Sequence, residues 1–295
     1  INRATKGVYE FGSVFKTFTM AAAFNEKIFE PESEFINLPK SITCAGFPIS
    51  EYNKDIPSNL TLEQILVRSG NIGSVRIGQK IGEEKFRSFL QKIGITGSIN
   101  FDIEEVGVPI KFNWGKCPLA TASFGHGITT TLLQVVKAYS IITNGGYDVN
   151  PTLIKNDEVV EKKRILDDNV TKKILPILRK IVSTKDGTAK LANVDGYEIG
   201  GKTGTANKII NGTYSNKKVN TFVSIFPTSK PKFVLAVMLD ESQNNENYIY
   251  EYRDGSNFKL KGSPRNTAGW TTVEVAGHII DKIGPILATK YNEIN

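Results

Sequence analysis

Imidazole and thiol are scarce in this chain of 295 residues, which holds two histidines, His126 and His278, and two cysteines, Cys44 and Cys117. A serine–histidine–aspartate mechanism would have to draw on one of those two histidines, and neither has a convincing partner in the sequence. The cysteines are far apart with no Cys-x-x-Cys spacing, which excludes a zinc or redox motif of that kind. They read most simply as two buried or half-buried thiols, with a disulfide between them left open. No apolar run approaches the ~20 residues that span a bilayer. No signal-peptide pattern opens the chain, which begins at Ile1. An excess of 37 Lys+Arg over 30 Asp+Glu gives +7, a charge that could favour nucleic acid or an anionic surface. The basic residues are scattered, however. The tightest runs, Lys162-Lys163-Arg164 and Lys172-Lys173, read as a solvated helix face, and no nucleic-acid motif accompanies them.

What is present is an ordinary globular composition, 40% hydrophobic and 23% charged, in a chain long enough for one large or two small domains. Gly12 precedes the apolar stretch Ser13–Phe24, which places Ser13 at or near a helix N-terminus. Residues 27–60 carry Pro31, Pro39, Pro48 and Pro57 and read as an irregular excursion with small hairpins. A short helix is expected over Thr61–Arg68, running into the turn-like Ser69-Gly70-Asn71. Residues 72–95 look helical, with a second segment opening at Glu83-Glu84, and 96–125 reads as loop-rich. Helical periodicity returns over Thr130–Thr143 and over Asp168–Val182, the latter with Asp168 or Asn169 as N-cap and Pro176 as a kink. Three β-type runs, Tyr197–Thr205, Asn220–Phe226 and Lys232–Leu239, predict an antiparallel sheet, and Thr271–Ile283 a closing helix.

Serine needs a group to take its proton, and in this chain the candidates are lysines. Ser-x-x-Lys puts an amine one helical turn beyond a hydroxyl on the same face. The pattern occurs at Ser13, Ser215, Ser229 and Ser256, and only Ser13 precedes a helix-like apolar run. Ser-x-Asn occurs at Ser69, Ser98 and Ser242, and only Ser69 follows one helix and leads into another. Lys202-Thr203-Gly204 is more specific, since a given tripeptide arises by chance only roughly 0.1 times in such a length. It occurs once, on a strand-like run with Gly200, Gly201 and Gly204, where glycine lets an extended peptide approach a sheet edge.

In that order, on helix, loop and strand, these three motifs resemble those of penicillin-binding proteins and serine β-lactamases. The longer strings Tyr9–Lys16, Ser123-Phe-Gly-His-Gly127, Asn144-Gly-Gly146, Asp186-Gly-Thr-Ala189 and Gly200–Ala206 are similar to class B penicillin-binding proteins. Thr267-Ala-Gly-Trp270 is most like the septal, cell-division type. The resemblance covers essentially the whole chain. It implies an α+β transpeptidase fold over residues 1–295, an antiparallel sheet flanked by helices plus a mainly helical lobe. It also implies that the opening strands, a pedestal domain and a membrane anchor precede this segment, so that the catalytic part is periplasmic and the segment alone is weakly stable and weakly active.

By position, the resemblance makes Ser13 the nucleophile that attacks the penultimate D-Ala carbonyl of a pentapeptide stem, and Lys16 its base. Ser69 would relay the proton and Asn71 would hold Lys16 and the substrate amide. Lys202 would supply positive charge, and Thr203, Gly204 and Thr205 would bind the substrate carboxylate and backbone. The N–H groups of Ser13 and Thr205 would form the oxyanion hole. No metal or cofactor is implied. The implied partners are peptidoglycan stems, β-lactams and, through the upstream region, a membrane glycosyltransferase and other division proteins. Taken singly, Ser13 is an ordinary N-cap, Asn71 a turn former, Thr205 a strand hydroxyl, and His126, between two glycines, a residue that shapes a turn or packs near the cleft. Phe11 and Val14 stand where relatives often have Pro and Thr, and Gly70 where they often have Ser or Asp, a change expected to loosen that loop. A β-lactamase would need a deacylating carboxylate, and Glu104-Glu105 lacks the right surroundings. A β-lactam sensor and an elongation-type transpeptidase share the same chemistry.

Overall fold

The structure is a computed structural model that describes residues 1–155, 163–243, 245–262 and 265–291. Lys162 of the basic run and Asn244 of the Ser242 match lie outside the described residues.

The helices follow the apolar periodicity closely. A 3-10 turn over Gly12–Val14 leads into α1 (Phe15–Asn25). Next come α2 (Leu62–Val67), α3 (Asn71–Ile81) and α4 (Glu83–Lys92). After these stand α5 (Lys116–Ala122), α6 (Leu132–Thr143), α7 (Asp168–Ser183) and α8 (Thr272–Tyr291). Both α2 and α6 begin with a capping box, Thr61 with Gln64 and Thr131 with Gln134, in which side chain and backbone satisfy each other's free groups. The N-cap of α7 is Asp167, whose carboxylate accepts from Asn169 N, rather than Asp168 or Asn169. That residue keeps an extended backbone while its side chain turns onto the first helical turn. The helix runs on through Pro176. α5 lies in the stretch read as loop-rich; Gly115 stands before it and Pro118 in its first turn, where a missing N–H does no harm.

Most strands are short. β1 (Val8–Tyr9), β2 (Glu34–Phe35), β3 (Ser41–Cys44), β4 (Phe47–Ser50), β5 (Leu60–Thr61) and β6 (Thr130–Thr131) form three two-stranded pairs: β1 with β6, β2 with β5, and β3 with β4. The hairpin and the strand pairing within residues 27–61 match the irregular excursion expected there. The main sheet is β7 (Gly200–Ile210), β8 (Thr213–Phe226) and β9 (Phe233–Asp240), antiparallel in that order, so β7 and β9 are its edges. The first two strands are longer than the apolar runs predicted. They continue as a largely exposed, mainly polar arm over residues 207–218, closed by Asn211-Gly212, both at positive φ. An exposed arm has no face to bury and so shows no alternation, whereas the Asn-Gly pair is itself a hairpin signal. A last hairpin pairs β10 (Ile249–Glu251) with β11 (Lys259–Lys261).

The core is laid around α1, in which every residue from Phe15 to Phe24 is buried. Full burial of Phe15, Phe18, Met20 and Phe24 stabilises by about 1.5–3 kcal/mol each. Helices α2, α3, α4 and α7 pack directly on α1, while α7 also packs on β7 and α8 on β8 and β9. The helix carrying Lys16 is thus walled by helices and lies beside the sheet edge carrying Lys202.

Cys44 and Cys117 are bonded to each other, which corrects the reading of two free thiols. Seventy-three positions separate them, and it is the fold that brings the tip of the β3–β4 hairpin onto the start of α5. Closing so long a loop removes unfolded-state entropy, and reduction is expected to lower stability by about 2–4 kcal/mol. Urea unfolding with and without dithiothreitol measures this, and coincident midpoints would contradict it.

Candidate active site

The 3-10 turn that carries Ser13 is pressed onto β7. Gly12 holds φ at +53°, and a Cβ on it would lie 2.7 Å from the Thr205 carbonyl oxygen. From the strand side, a Cβ on Gly204 would lie 2.1 Å from the Phe11 carbonyl oxygen. Only glycine at both positions lets the two backbones meet. Behind the turn, the buried Tyr139 hydroxyl is 3.2 Å from the Val14 carbonyl and 2.8 Å from Thr17 Oγ1. Ser13 itself is half-buried, at the mouth of this arrangement.

Lys16, one helical turn on, is completely buried. Its Nζ donates to the Ser69 carbonyl at 2.5 Å and to Asn71 Oδ1 at 2.7 Å, and lies 3.2 Å from Ser69 Oγ. Lys202, equally buried, reaches the same Ser69 hydroxyl at 2.9 Å and the Thr203 carbonyl at 3.1 Å. Two ammonium-bearing side chains therefore converge on one hydroxyl. Burial disfavours the charged form of each. It lowers the pKa of Lys16 to about 7, against the opposing pull of Glu51. It drives that of Lys202 well below the ordinary lysine range, and repulsion from Lys16 adds to the effect.

The structure thus brings together four of the sequence-predicted residues, Lys16, Ser69, Asn71 and Lys202. Ser13 stands one turn away on the same helix segment. Among the described residues, no hydrogen bond joins Ser13 Oγ to Lys16, whose bonds go to the Ser69–Asn71 loop. Thr203 and Thr205 are on the strand beside the turn, but their hydroxyls already have partners. Thr203 Oγ1 is 2.7 Å from Thr188 Oγ1. Thr205 Oγ1 donates to Asn220 Oδ1 at 2.9 Å and accepts from Ala268 N at 3.0 Å. Asn220 Nδ2 in turn donates to Ser242 Oγ and Asn266 Oδ1, each at 2.7 Å.

The Ser69-Gly70-Asn71 loop differs from the expectation of looseness at Gly70. The left-handed residue is Ser69, at φ +59°, whereas Gly70 has φ −65° and ψ 129°, open to any residue. The loop is pinned by Glu51, whose carboxylate accepts from Asn71 N and Ile72 N, and by Arg68, paired with Asp186 at 2.7 Å. Sequence reasoning missed Glu51, Thr188, Asn220 and Asn266. Thr188 lies in the Asp186–Ala189 string, which was a signal; the others have none. His126 is stacked between Phe124 and Tyr214 and faces Glu10 at 3.8 Å, as a residue packing near the cleft would. Replacing Gly12 by alanine is expected to cost about 1–3 kcal/mol through the strained φ and the approach to Thr205. Thermal unfolding of the variant checks it; an unchanged midpoint would show that the turn gives way.

The chain is similar to known proteins over most of its length. The family model described as the penicillin binding protein transpeptidase domain matches residues 1–255. A Caulobacter vibrioides protein named "Probable peptidoglycan D,D-transpeptidase FtsI" is 28% identical over 302 residues, covering 98% of this chain and 48% of that protein. A Neisseria flavescens protein named "Probable peptidoglycan D,D-transpeptidase PenA" is 31% identical over 252 residues, covering 84% of this chain and 62% of its own length. The chain spans about half to three fifths of the length of these curated relatives. The transpeptidase domain of Burkholderia pseudomallei penicillin-binding protein 3 superimposes with a TM-score of 0.83 over 100% of this chain and 83% of that one, at 24% identity, which establishes the shared α+β fold. With the family model matching most of its length, this chain belongs to the penicillin-binding protein transpeptidase family.

Proposed function

We propose that the chain is the catalytic part of a peptidoglycan D,D-transpeptidase that cross-links stem peptides through an acyl-serine intermediate on Ser13. The observation that carries this is the pair of buried amines on Ser69, because a lysine with a pKa of about 7 can serve as a general base where an ordinary lysine cannot. Ser13 Oγ attacks the penultimate D-Ala carbonyl as Lys16 takes its proton. Catalytic hydrogen bonds of this kind tighten when substrate fills the site. The N–H groups of Ser13 and Thr205, on segments that touch through Gly12 and Gly204, receive the oxyanion. Ser69 passes a proton to the departing D-Ala amine, and the amine of a second stem then releases the acyl group. Thr203, next to the Lys202 amine on the sheet's edge strand, binds the substrate carboxylate, while the β7 backbone aligns the peptide. Thr205 serves the same carboxylate once its hydroxyl turns away from Asn220.

A β-lactamase reading is disfavoured by where the carboxylates go. Glu105 is bonded to Asn2 N at 2.7 Å, and both oxygens of Glu51 are engaged by backbone N–H groups. The septal role follows the resemblance of Thr267–Trp270 and the relative named FtsI. We place residues 1–295 in one transpeptidase domain, acting in the periplasm beneath a membrane anchor and beside a glycosyltransferase partner. Among the described residues, no helix is long and apolar enough to cross a membrane. The Cys44–Cys117 disulfide suits an oxidising compartment.

Incubation with a fluorescent penicillin is expected to add one acyl group at Ser13, found by peptide mass, and to leave the Ser13→Ala variant unlabelled. Labelling that persists in that variant would sink the assignment. Depletion in the native host should give filaments, whereas swollen round cells would mean an elongation role. Because the protonated amine cannot accept the Ser13 proton, acylation should be slow below pH 7 and rise through a midpoint near pH 7 as Lys16 is freed of its proton. A flat rate between pH 5.5 and 8.5, values bracketing an ordinary titration of about two decades, would exclude Lys16 as the base.

A further inference from the structure

Among the described residues, Glu51 is the acidic side chain bonded to the loop that holds Lys16, and it lies outside the three motifs. It follows β4, at the base of the hairpin whose tip carries Cys44. Glu51 Oε2 accepts from Asn71 N at 2.6 Å and Oε1 from Ile72 N at 2.9 Å. These are the first N–H groups of α3, a helix whose N-cap is Gly70 and whose first turn has no acidic residue. Gly70 has no side chain with which to satisfy them. Glu51 therefore supplies, from twenty positions away, both the acceptor and the negative charge that a helix start calls for. The preceding residue completes the hold, since the Ser50 carbonyl accepts from Asn71 Nδ2 at 2.8 Å. With its backbone N–H and its amide nitrogen both committed, Asn71 has only Oδ1 to offer Lys16, at 2.7 Å.

We propose that Glu51 is a positioning residue for acylation: its carboxylate anchors the start of α3 and so fixes the Asn71 amide that holds the Lys16 amine beside Ser69. The inference rests on the acyl-serine reading above and names a residue outside the motifs that define it. Geometry and charge act together here. The charge that bears on Lys16 from the elements packed around it is the Glu51 carboxylate at the base of the β3–β4 hairpin, while Lys202, from β7, is itself lowered by burial and by Lys16. Glu51 favours the protonated form of Lys16, against burial. Its neutral isostere should therefore do two separable things. It weakens the hold on Asn71, which slows acylation, and it lowers the pKa of Lys16, which makes the neutral amine available at lower pH.

The test is the rate of Ser13 acylation by a fluorescent penicillin as a function of pH, with melting temperatures, for the wild-type protein, Glu51→Gln, Glu51→Ala and Asp55→Asn, an exposed carboxylate of the same excursion. Wild type and Asp55→Asn should share one profile. In Glu51→Gln the plateau rate is expected to fall by about tenfold, the scale of a slightly misplaced catalytic group. Its acid limb should move to lower pH, because the carboxylate that favours the protonated amine is gone. Glu51→Ala, which keeps no acceptor, should lose more of the plateau. The inference is overturned if both variants match wild type, or if the plateau falls with the limb unmoved, which is what a purely structural strut would give. Failure of both variants to fold would overturn it in the same sense. Absence of Ser13 labelling in the wild type would instead refute the acyl-serine reading on which it stands.

Discussion

Two lysine amines buried against a single serine hydroxyl are the constraint around which this structure is arranged. Lys16 and Lys202 come from a helix and a strand 186 positions apart and meet at Ser69 Oγ. Burying one ammonium is costly, and burying two side by side is more so, unless the site removes a proton. The neighbourhood supplies neutral acceptors, the Ser69 and Thr203 carbonyls and Asn71 Oδ1, and among the described residues no carboxylate is bonded directly to either amine. The outcome is a basic group rather than a salt bridge. A carboxylate in that position would stabilise the ammonium and remove the base.

The scaffold is consistent with holding such a site. Full burial of α1 needs helices on several sides, which α2, α3, α4 and α7 provide. The approach of the Ser13 turn to β7 needs glycine on both sides of the contact, at Gly12 and Gly204. The Ser69 loop carries a left-handed serine and is fastened by side chains from distant segments, Glu51 and Arg68 with Asp186. Each is a local cost accepted where functional groups must be brought to fixed positions. The chemistry proposed for the site gives those costs a purpose: one amine to take a proton, one hydroxyl to relay it, and a strand edge to align a peptide.

The motif residues were legible because their types are unusual in their places. A lysine one turn into an apolar helix and another among glycines on a strand both contradict ordinary burial, and such contradictions mark sites. The helices were legible from periodicity, with capping residues fixing α2 and α6 closely. The polar arm of β7 and β8 was not, because strands that bury neither face leave no alternation to read. Nor were the bonds that occupy Thr203 and Thr205: the string holding Thr188 does not say which residue it meets, and Asn220 and Asn266 are common residues with no signal around them.

By itself the sequence determined which groups exist and in which order: a serine and lysine on one helical turn, a serine and asparagine between two helices, a lysine and glycines on a strand. Those follow from local rules of spacing and backbone freedom. Tertiary structure alone decided that the two lysines share one hydroxyl, that Cys44 and Cys117 are joined, and that Glu51 caps a helix begun twenty positions later. Such pairings depend on how the chain crosses space. A proton's affinity for an amine depends on everything packed around it, which no stretch of sequence contains.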